Sequence, residues 1–309
     1  MRVGRTTLFR LATSTRFERT VRAVAPAERH AWRAASRYVA GTTLADAWQV
    51  VNRLHAKGID ASVDQFGELV TDAATAERVA ADYVRLAVGL AQQPDARGRA
   101  EPTAALAGGT AVWLSIDLSH LGLDVDRGRC ADHFRAIADA LPPGRRIQVG
   151  AEDHDRADAV LDCVLAVAGD RNGLADRIGA TVQANLHRSG DDLDRLVAAG
   201  VHVRLVKGAY VEPPERALPY GEPTDIAYLR LALRLAQAGA NFSLATHDGV
   251  LREALLAALG PRPVEQLLGV RPETLDDLVA GGVPVRVYVP YGADWFRYWM
   301  RRVAESRGA

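Results

Sequence analysis

The chain has 309 residues, of which 48% are hydrophobic and 25% are charged, and its 38 basic side chains equal its 38 acidic ones. This is the composition of a globular protein that can bury a large core. A net charge of zero argues against a nucleic-acid binder and against a disordered acidic protein. The two cysteines, Cys130 and Cys163, form no C-x-x-C motif, so we expect two buried structural thiols.

Apolar runs along the chain fall short of the roughly 18–20 residues that cross a bilayer. We therefore expect a cytoplasmic protein. The eight histidines show no spacing typical of metal ligands, so no metal site is predicted.

Residues 1–57 contain few helix breakers, and apolar side chains such as Leu44, Ala47 and Leu54 recur at helical spacing. We assign these residues to an N-terminal helical arm and residues 58–309 to a second domain, in which short β-branched runs alternate with amphipathic stretches. The predicted strands span 59–63, 112–118, 146–149, 180–185, 201–206, 242–246, 264–268 and 283–287. The predicted helices between them span 129–140, 155–168, 193–199, 223–237, 251–259 and 273–280.

Strand and helix alternating throughout predict an α/β domain with a parallel sheet, and eight such units fit a (β/α)8 TIM barrel. The alternative is an open doubly wound sheet. That fold normally carries a G-x-G-x-x-G turn, which is absent because no two glycines are two positions apart.

The functional side chains of such a barrel lie where its strands end. Polar side chains crowd these positions, so we place the candidate site there. Lys207, directly before Gly208, is a candidate contact to a phosphate or flavin, or alternatively a solvated lysine at the rim. His247 is a candidate cofactor contact, or a hydrogen-bonded structural histidine. The residues at the predicted strand ends are Glu68, Asp117, Gly150, Glu152, Gln183, Asn185, Lys207, Tyr210, Thr246, His247, Asp248, Tyr288 and Tyr291.

The last predicted helix carries Tyr298, Arg301, Arg302 and Glu305 on one side, at i, i+3, i+4 and i+7. Two adjacent guanidinium groups can hold a carboxylate in a bidentate manner, and a tyrosine beside them can stack on a small ring. The alternative is a solvated helix with an ordinary Arg–Glu pair.

Several of these segments together resemble the proline dehydrogenase family, in its monofunctional bacterial, flavin-dependent form. The resemblance covers roughly residues 38–306 and follows the family's motif order. The matching segments are Tyr38-Val-Ala-Gly41, Phe66-Gly-Glu68, Leu114-Ser-Ile-Asp-Leu-Ser-His-Leu-Gly122, Glu152-Asp-His-Asp155, Val182-Gln-Ala-Asn-Leu186, Arg204-Leu-Val-Lys-Gly-Ala-Tyr210, Ala245-Thr-His-Asp248, and Tyr288-Val-Pro290 with Arg301, Arg302 and Glu305.

The resemblance implies a distorted (β/α)8 barrel that holds FAD and oxidises L-proline to pyrroline-5-carboxylate by hydride transfer to flavin N5. The implied electron acceptor is a membrane quinone or another acceptor, so the resemblance implies at most a peripheral contact with the inner membrane. The family's flavin contacts map onto Gln183, Arg204, Val206, Lys207, Gly208, Ala209, Thr246, His247 and Glu305. Its substrate contacts map onto Glu68, Leu205, Tyr210, Tyr288, Tyr298, Arg301 and Arg302, with the arginines on the substrate carboxylate.

The chain departs from the family at three positions. Asp117 stands where the family has a lysine, and Gly150 stands where it has an aspartate; we count Asp117 among the catalytic candidates. In the seventh strand, Glu265 takes the place of the family's glutamine and Gln266 is displaced by one residue, which reverses the face of a strand. We do not carry that contact over.

The departures at residues 117 and 150 leave open alternatives to the oxidation of L-proline. The protein could use the same flavin chemistry on another small amino acid or an N-substituted amine. It could instead be a non-catalytic descendant that binds flavin or an amino acid. A third alternative is a barrel enzyme without flavin that acts on a phosphorylated substrate.

Overall fold

The structure, a computed structural model, describes residues 15–93, 112–169 and 174–306. Its centre is a closed barrel of eight parallel strands in sequence order, with β8 paired to β1. This confirms the (β/α)8 barrel and rules out the open sheet. The strands are β1 (Asp60–Gln65), β2 (Trp113–Ile116), β3 (Ile147–Val149), β4 (Ile178–Gln183), β5 (His202–Val206), β6 (Phe242–Ala245), β7 (Val264–Leu267) and β8 (Val285–Tyr291).

Helices precede the barrel, alternate with its strands and follow it. The helix between β1 and β2 is missing from the sequence prediction, because half of its buried face is alanine and gives a weak hydrophobic period. The helices are α1 (Thr15–Ala23), α2 (Ala25–Ala35), α3 (Leu44–His55), α4 (Ala73–Gly89), α5 (Arg127–Ala140), α6 (Ala157–Gly169), α7 (Ser189–Ala198), α8 (Glu222–Gln237), α9 (Gly249–Leu259), α10 (Glu273–Ala280) and α11 (Trp295–Ser306).

The two faces of the barrel wall differ in polarity. Alternate side chains of a strand point to opposite faces. Ala61 and Val63 of β1 belong to the hydrophobic core between strands and helices, whereas Asp64 faces the interior. Arg204 of β5 also faces the interior, because its Nε lies 2.8 Å from Glu265 Oε2 on β7, past the intervening β6. Both cysteines lie buried and unpaired, as expected.

Helices α2 and α3 of the predicted arm pack against different parts of the protein. Helix α3 begins with a capping box, in which Thr43 Oγ1 accepts the N–H of Asp46 at 3.2 Å and the Asp46 carboxylate accepts the N–H of Thr43. Its apolar face joins the barrel core. Helix α2 instead packs Ala31 and Ala35 against Trp295 of α11. Residues 1–14 of the arm lie outside the described residues, and the boundary at residue 57 stays a prediction.

Candidate active site

The C-terminal ends of the parallel strands form one rim, and helix α11 lies against it. The ring centroid of Tyr298 lies 5.1 Å from that of Phe66, which follows β1, and 6.0 Å from that of Tyr288 on β8. Tyr298 is buried. The structure therefore brings the predicted tyrosines of the last strand and the last helix together over the barrel opening.

The paired arginines of α11 face this opening in different ways. Arg301 donates from Nη1 to both carboxylate oxygens of Glu68, at 3.1 and 2.9 Å. The Arg302 guanidinium lies 5.0 Å from the Tyr298 ring centroid, within the range of a cation–π contact. Arg301 thus holds a carboxylate through a single nitrogen, whereas the sequence predicts a bidentate contact from the two adjacent guanidinium groups.

Asp64 is a site residue that the sequence analysis missed. Its Oδ1 accepts the Tyr83 hydroxyl at 2.9 Å, and its Oδ2 accepts the Tyr288 hydroxyl at 2.5 Å. Burial raises the pKa of Asp64 to about 7, against the lowering effect of the two tyrosine hydrogen bonds. The available signal was a charged side chain within an otherwise buried strand, where an ion is costly unless it has partners.

Asp117 and Gly150 lie side by side at the ends of β2 and β3. The Gly150 N–H donates to the carbonyl of Ile116 at 2.8 Å. A Cβ on Gly150 would lie 1.9 Å from Asp117 Oδ1, so the Asp117 carboxyl occupies the space that a side chain at residue 150 would need. Burial raises the pKa of Asp117 well above its usual range, and the charges of Asp64 and Glu152 raise it further.

The predicted flavin contacts cluster at the ends of β4 to β6. Gln183 donates to the carbonyl of Glu152 at 2.9 Å, and Arg204 is paired with Glu265. Lys207 is held between Asp248, at 2.7 Å, and Asp225, at 2.5 Å. It is therefore an ion-paired lysine and not a solvated one. The Thr246 hydroxyl accepts the N–H of Asp248 at 3.1 Å.

His247 presents an unused donor in this cluster. Its Nε2 accepts the N–H of Leu267 at 3.2 Å, so the ring proton lies on Nδ1. Burial lowers the pKa of His247 to about 4, helped by the charge of Arg302, and the ring is neutral at pH 7. Nδ1 is buried and has no partner within the described part of the chain.

The remaining predicted contacts are spread over several environments. Tyr210 donates its hydroxyl to the carbonyl of Ala151 at 3.1 Å, beside the opening. Val206 and Gly208 are half-buried at the end of β5, and Ala209 is exposed. Leu205 is fully buried in the core, on the opposite face of β5 from Arg204, so the structure does not bring it to the opening. The side chain of Glu305 lies outside the described residues.

In β7, Glu265 and Gln266 point to opposite faces of the strand, as the displaced glutamine implies. Glu265 faces the interior, where it accepts from Arg204. Gln266 points outwards, where its Nε2 donates to Thr274 Oγ1 at 3.1 Å. The family's motif did not predict this buried arginine–carboxylate pair.

The described residues contain neither a candidate metal cluster nor a candidate membrane-spanning helix. Over residues 15–93, 112–169 and 174–306, no cluster of three or more histidine, cysteine or acidic side chains could hold a metal ion. In the same part of the chain, no helix is both long and apolar enough to span a membrane.

Comparisons with solved structures agree with the barrel. The chain superimposes on proline utilization A (PutA) from Bdellovibrio bacteriovorus, inactivated by N-propargylglycine, with a TM-score of 0.81 and 18% identity, over 98% of this chain and 36% of that one. A PutA mutant from Bradyrhizobium japonicum gives a TM-score of 0.74 and 22% identity, over 93% of this chain and 32% of that one. The chain spans about a third of those structures, and the likeness concerns the fold.

The sequence comparisons extend over nearly the whole chain. Proline dehydrogenase of Deinococcus radiodurans is 33% identical over 286 residues, which are 89% of this chain and 87% of that protein. Proline dehydrogenase 1 of Bacillus subtilis (strain 168) is 30% identical over 279 residues, with 88% and 86% covered. The family model described as proline dehydrogenase matches residues 47–309. A barrel that carries paired arginines and tyrosines at its rim, together with these matches, shows that the chain belongs to the proline dehydrogenase family.

Proposed function

We propose that this protein is an FAD-dependent oxidoreductase that oxidises the CH–NH group of L-proline to pyrroline-5-carboxylate. The observation that carries the proposal is the carboxylate-holding guanidinium of Arg301, next to Arg302 and to two tyrosines over the barrel opening. The named relatives are proline dehydrogenases, which favours proline over other amines as substrate.

The arrangement of α11 suits a small amino acid. The Glu68 carboxylate occupies Arg301 in the structure, and a substrate carboxylate that displaces it would find two guanidinium groups at adjacent positions. Tyr298, fixed between Phe66 and Tyr288, offers a ring face against which a pyrrolidine ring can pack. Carboxylate and ring are thereby held by one helix.

The residues at the ends of β4 to β6 fit FAD. The buried Nδ1–H of His247 is a donor that a flavin acceptor atom would satisfy. Gly208 has a φ of +117°, and a Cβ there would lie 1.9 Å from Asn185 Oδ1, so both the backbone conformation and the Asn185 side chain require glycine at this position after β5. Gln183, Arg204, Lys207, Thr246 and the backbone of Gly208 and Ala209 complete the proposed set, and Glu305 is retained in it.

The chemistry that bound FAD supplies is acceptance of a hydride from the carbon next to the substrate nitrogen. The protein's part is to bind, to orient and to exclude water. Asp64 fixes the Tyr288 hydroxyl through the 2.5 Å hydrogen bond, so this side chain keeps one orientation over the opening. Arg301 and Arg302 fix the carboxylate, and the buried ring of Tyr298 packs against Phe66 and Tyr288.

We also propose a quinone as electron acceptor, and a cytoplasmic protein that contacts the membrane peripherally. Val211 and Val250 follow β5 and β6 at the rim and are 76% and 84% exposed. These apolar side chains lie on the side of the barrel from which a hydrophobic acceptor would approach the proposed flavin site.

The function is tested by turnover with a soluble quinone. The purified protein is incubated with L-proline and the quinone, and the product is identified by mass spectrometry. The expected result is quinone reduction that depends on L-proline, with one product that has lost two hydrogens. Reduction that proceeds equally without proline, or no reduction by a flavin-loaded protein, would overturn the proposal.

A further inference from the structure

Four carboxyl groups converge on the barrel opening, and Asp117 differs from the other three. Asp64 accepts two tyrosine hydroxyls, Glu68 holds Arg301, and Glu152 accepts the N–H of Ser119 at 2.7 Å. No hydrogen-bond or ion-pair partner is found for the Asp117 carboxyl in the described part of the chain. Asp117 is half-buried and thus reachable by a ligand. It is the carboxyl of this group that is free to receive one.

The position of Asp117 depends on the absence of a side chain at residue 150. A Cβ on Gly150 would lie 1.9 Å from Asp117 Oδ1 and 3.2 Å from its Cγ. The nearest backbone atom, the carbonyl oxygen of Ile116, would be 3.6 Å away, at an ordinary contact distance. A small side chain at residue 150 would therefore displace the Asp117 carboxyl and leave the barrel wall in place. Asp117 and Gly150 form one steric unit.

The electrostatic surroundings of Asp117 favour a cationic ligand. The negative charges of Asp64, Glu152 and Glu68 disfavour the ionised form of Asp117, and the positive charge of Arg301 favours it. The charge of Asp117 also helps to raise the pKa values of Tyr210, Tyr288 and Arg301. For each of these groups, burial has a larger effect on the pKa than Asp117 does. The carboxyl thus lies among the proposed substrate contacts, and in the ligand-free protein its pKa is raised by burial and by the neighbouring carboxylates.

We propose that Asp117 receives the cationic nitrogen of the amino-acid substrate while Arg301 and Arg302 hold its carboxylate, and that Gly150 keeps open the space in which Asp117 does so. This inference rests on the proposed function. In an α-amino acid the two charged groups are attached to the same carbon, so they need neighbouring partners of opposite sign. Asp117 and Arg301 are such a pair.

A consequence distinguishes this role from a structural one. Burial raises the pKa of Asp117 in the ligand-free protein, and an ammonium group paired with the carboxyl would lower it again. Binding of L-proline is therefore expected to be accompanied by proton release, which follows from the linkage between ligand binding and titration. An amide at residue 117 does not titrate and releases no proton.

Binding is measured by calorimetry on anaerobic, dithionite-reduced holoprotein, which holds proline without turnover, in two buffers that differ in ionisation enthalpy. The ligands are L-proline and cyclopentanecarboxylate, which has the ring and the carboxylate but no nitrogen. The proteins are the wild type, Asp117→Asn and the matched control Asp132→Asn, whose carboxylate is exposed on α5 and paired with Arg135.

In Asp117→Asn, the affinity for L-proline is expected to fall about 10- to 100-fold, as for loss of a charge-assisted contact. The affinity for cyclopentanecarboxylate is expected to change little, and the proton release to disappear. Asp132→Asn is expected to match the wild type. Equal losses for both ligands, or unchanged proton release, would overturn the proposal.

The steric unit is tested with Gly150→Ala and Asp117→Ala, alone and combined. Gly150→Ala alone is expected to weaken proline binding, because the new methyl displaces the carboxyl. In the Asp117→Ala background, Gly150→Ala is expected to cause no further loss of affinity for L-proline. The carboxyl oxygen that the new methyl group would contact is absent from that variant. Additive losses would overturn the role assigned to Gly150, and a melting curve identifies any variant that is unfolded.

The outcome also separates this inference from the proposed function. A wild-type holoprotein that neither binds nor oxidises L-proline rejects the proposed function, and the inference with it. A wild type that oxidises L-proline, together with an Asp117→Asn variant that keeps both affinity and proton release, rejects the inference alone.

Discussion

Asp64→Asn should change how the stability of the protein depends on pH. In the folded protein Asp64 is buried at the end of β1, with both carboxylate oxygens bound to tyrosine hydroxyls. Burial raises its pKa from 3.8 to about 7. A carboxyl whose pKa is raised by folding stabilises the folded state most when it is protonated in both states, below about pH 4. This advantage is lost as the pH rises through 7.

The magnitude follows from the size of the rise. At about 1.36 kcal/mol per pKa unit, a pKa raised from 3.8 to about 7 corresponds to about 4 kcal/mol. The asparagine variant does not titrate. Its free energy of unfolding, relative to the wild type, should therefore increase by a few kcal/mol between pH 4 and pH 8.

The assay is urea unfolding of both proteins at a series of pH values, with Asp132→Asn as an exposed control that should show no such trend. A difference between Asp64→Asn and wild type that stays constant from pH 4 to pH 8 would refute the reasoning. It would mean that Asp64 is ionised throughout this range, stabilised by its two tyrosine hydrogen bonds more strongly than it is destabilised by burial.

Three further predictions concern binding and the core. Arg301→Ala and Arg302→Ala should each weaken L-proline binding by roughly 2–4 kcal/mol, because a charge-assisted contact is lost; an unchanged Michaelis constant in both would contradict the carboxylate assignment. Lys207→Met should lower the flavin content of the purified protein, whereas Lys57→Met, at the exposed second lysine, should not; equal flavin content would argue against Lys207 as a cofactor contact. Phe134→Ala should destabilise the fold by about 3–5 kcal/mol in urea unfolding, because this fully buried ring of α5 fills the barrel core; a loss below about 1 kcal/mol would mean that the core closes around the cavity.

The barrel could be predicted because its signal is repeated eight times. β-branched runs recur with amphipathic stretches between them, and each unit supports the others. Strand ends were less certain: β8 was expected to stop at residue 287 but runs to Tyr291, because its last residues stay paired with β1. Helix α4 was not predicted, because Ala76, Ala80 and Ala87 make its buried face only weakly more hydrophobic than its exposed face.

The candidate site could be predicted only in part, since its pairings join distant strands. Asp64, Tyr83 and Tyr288 come from three parts of the chain, and no local pattern indicates that one carboxyl binds both hydroxyls. The contact between Asp117 and Gly150 likewise depends on the register of β2 and β3. Both substitutions could be identified from the sequence, but the space that they share became visible only in three dimensions.

Oxidation of L-proline by bound flavin can be followed in the visible spectrum of the purified protein during anaerobic addition of L-proline. We expect a flavin spectrum that bleaches with one equivalent of L-proline and does not bleach with cyclopentanecarboxylate. A flavin spectrum that stays oxidised with proline, or a colourless protein that cannot be loaded with FAD, would contradict this expectation.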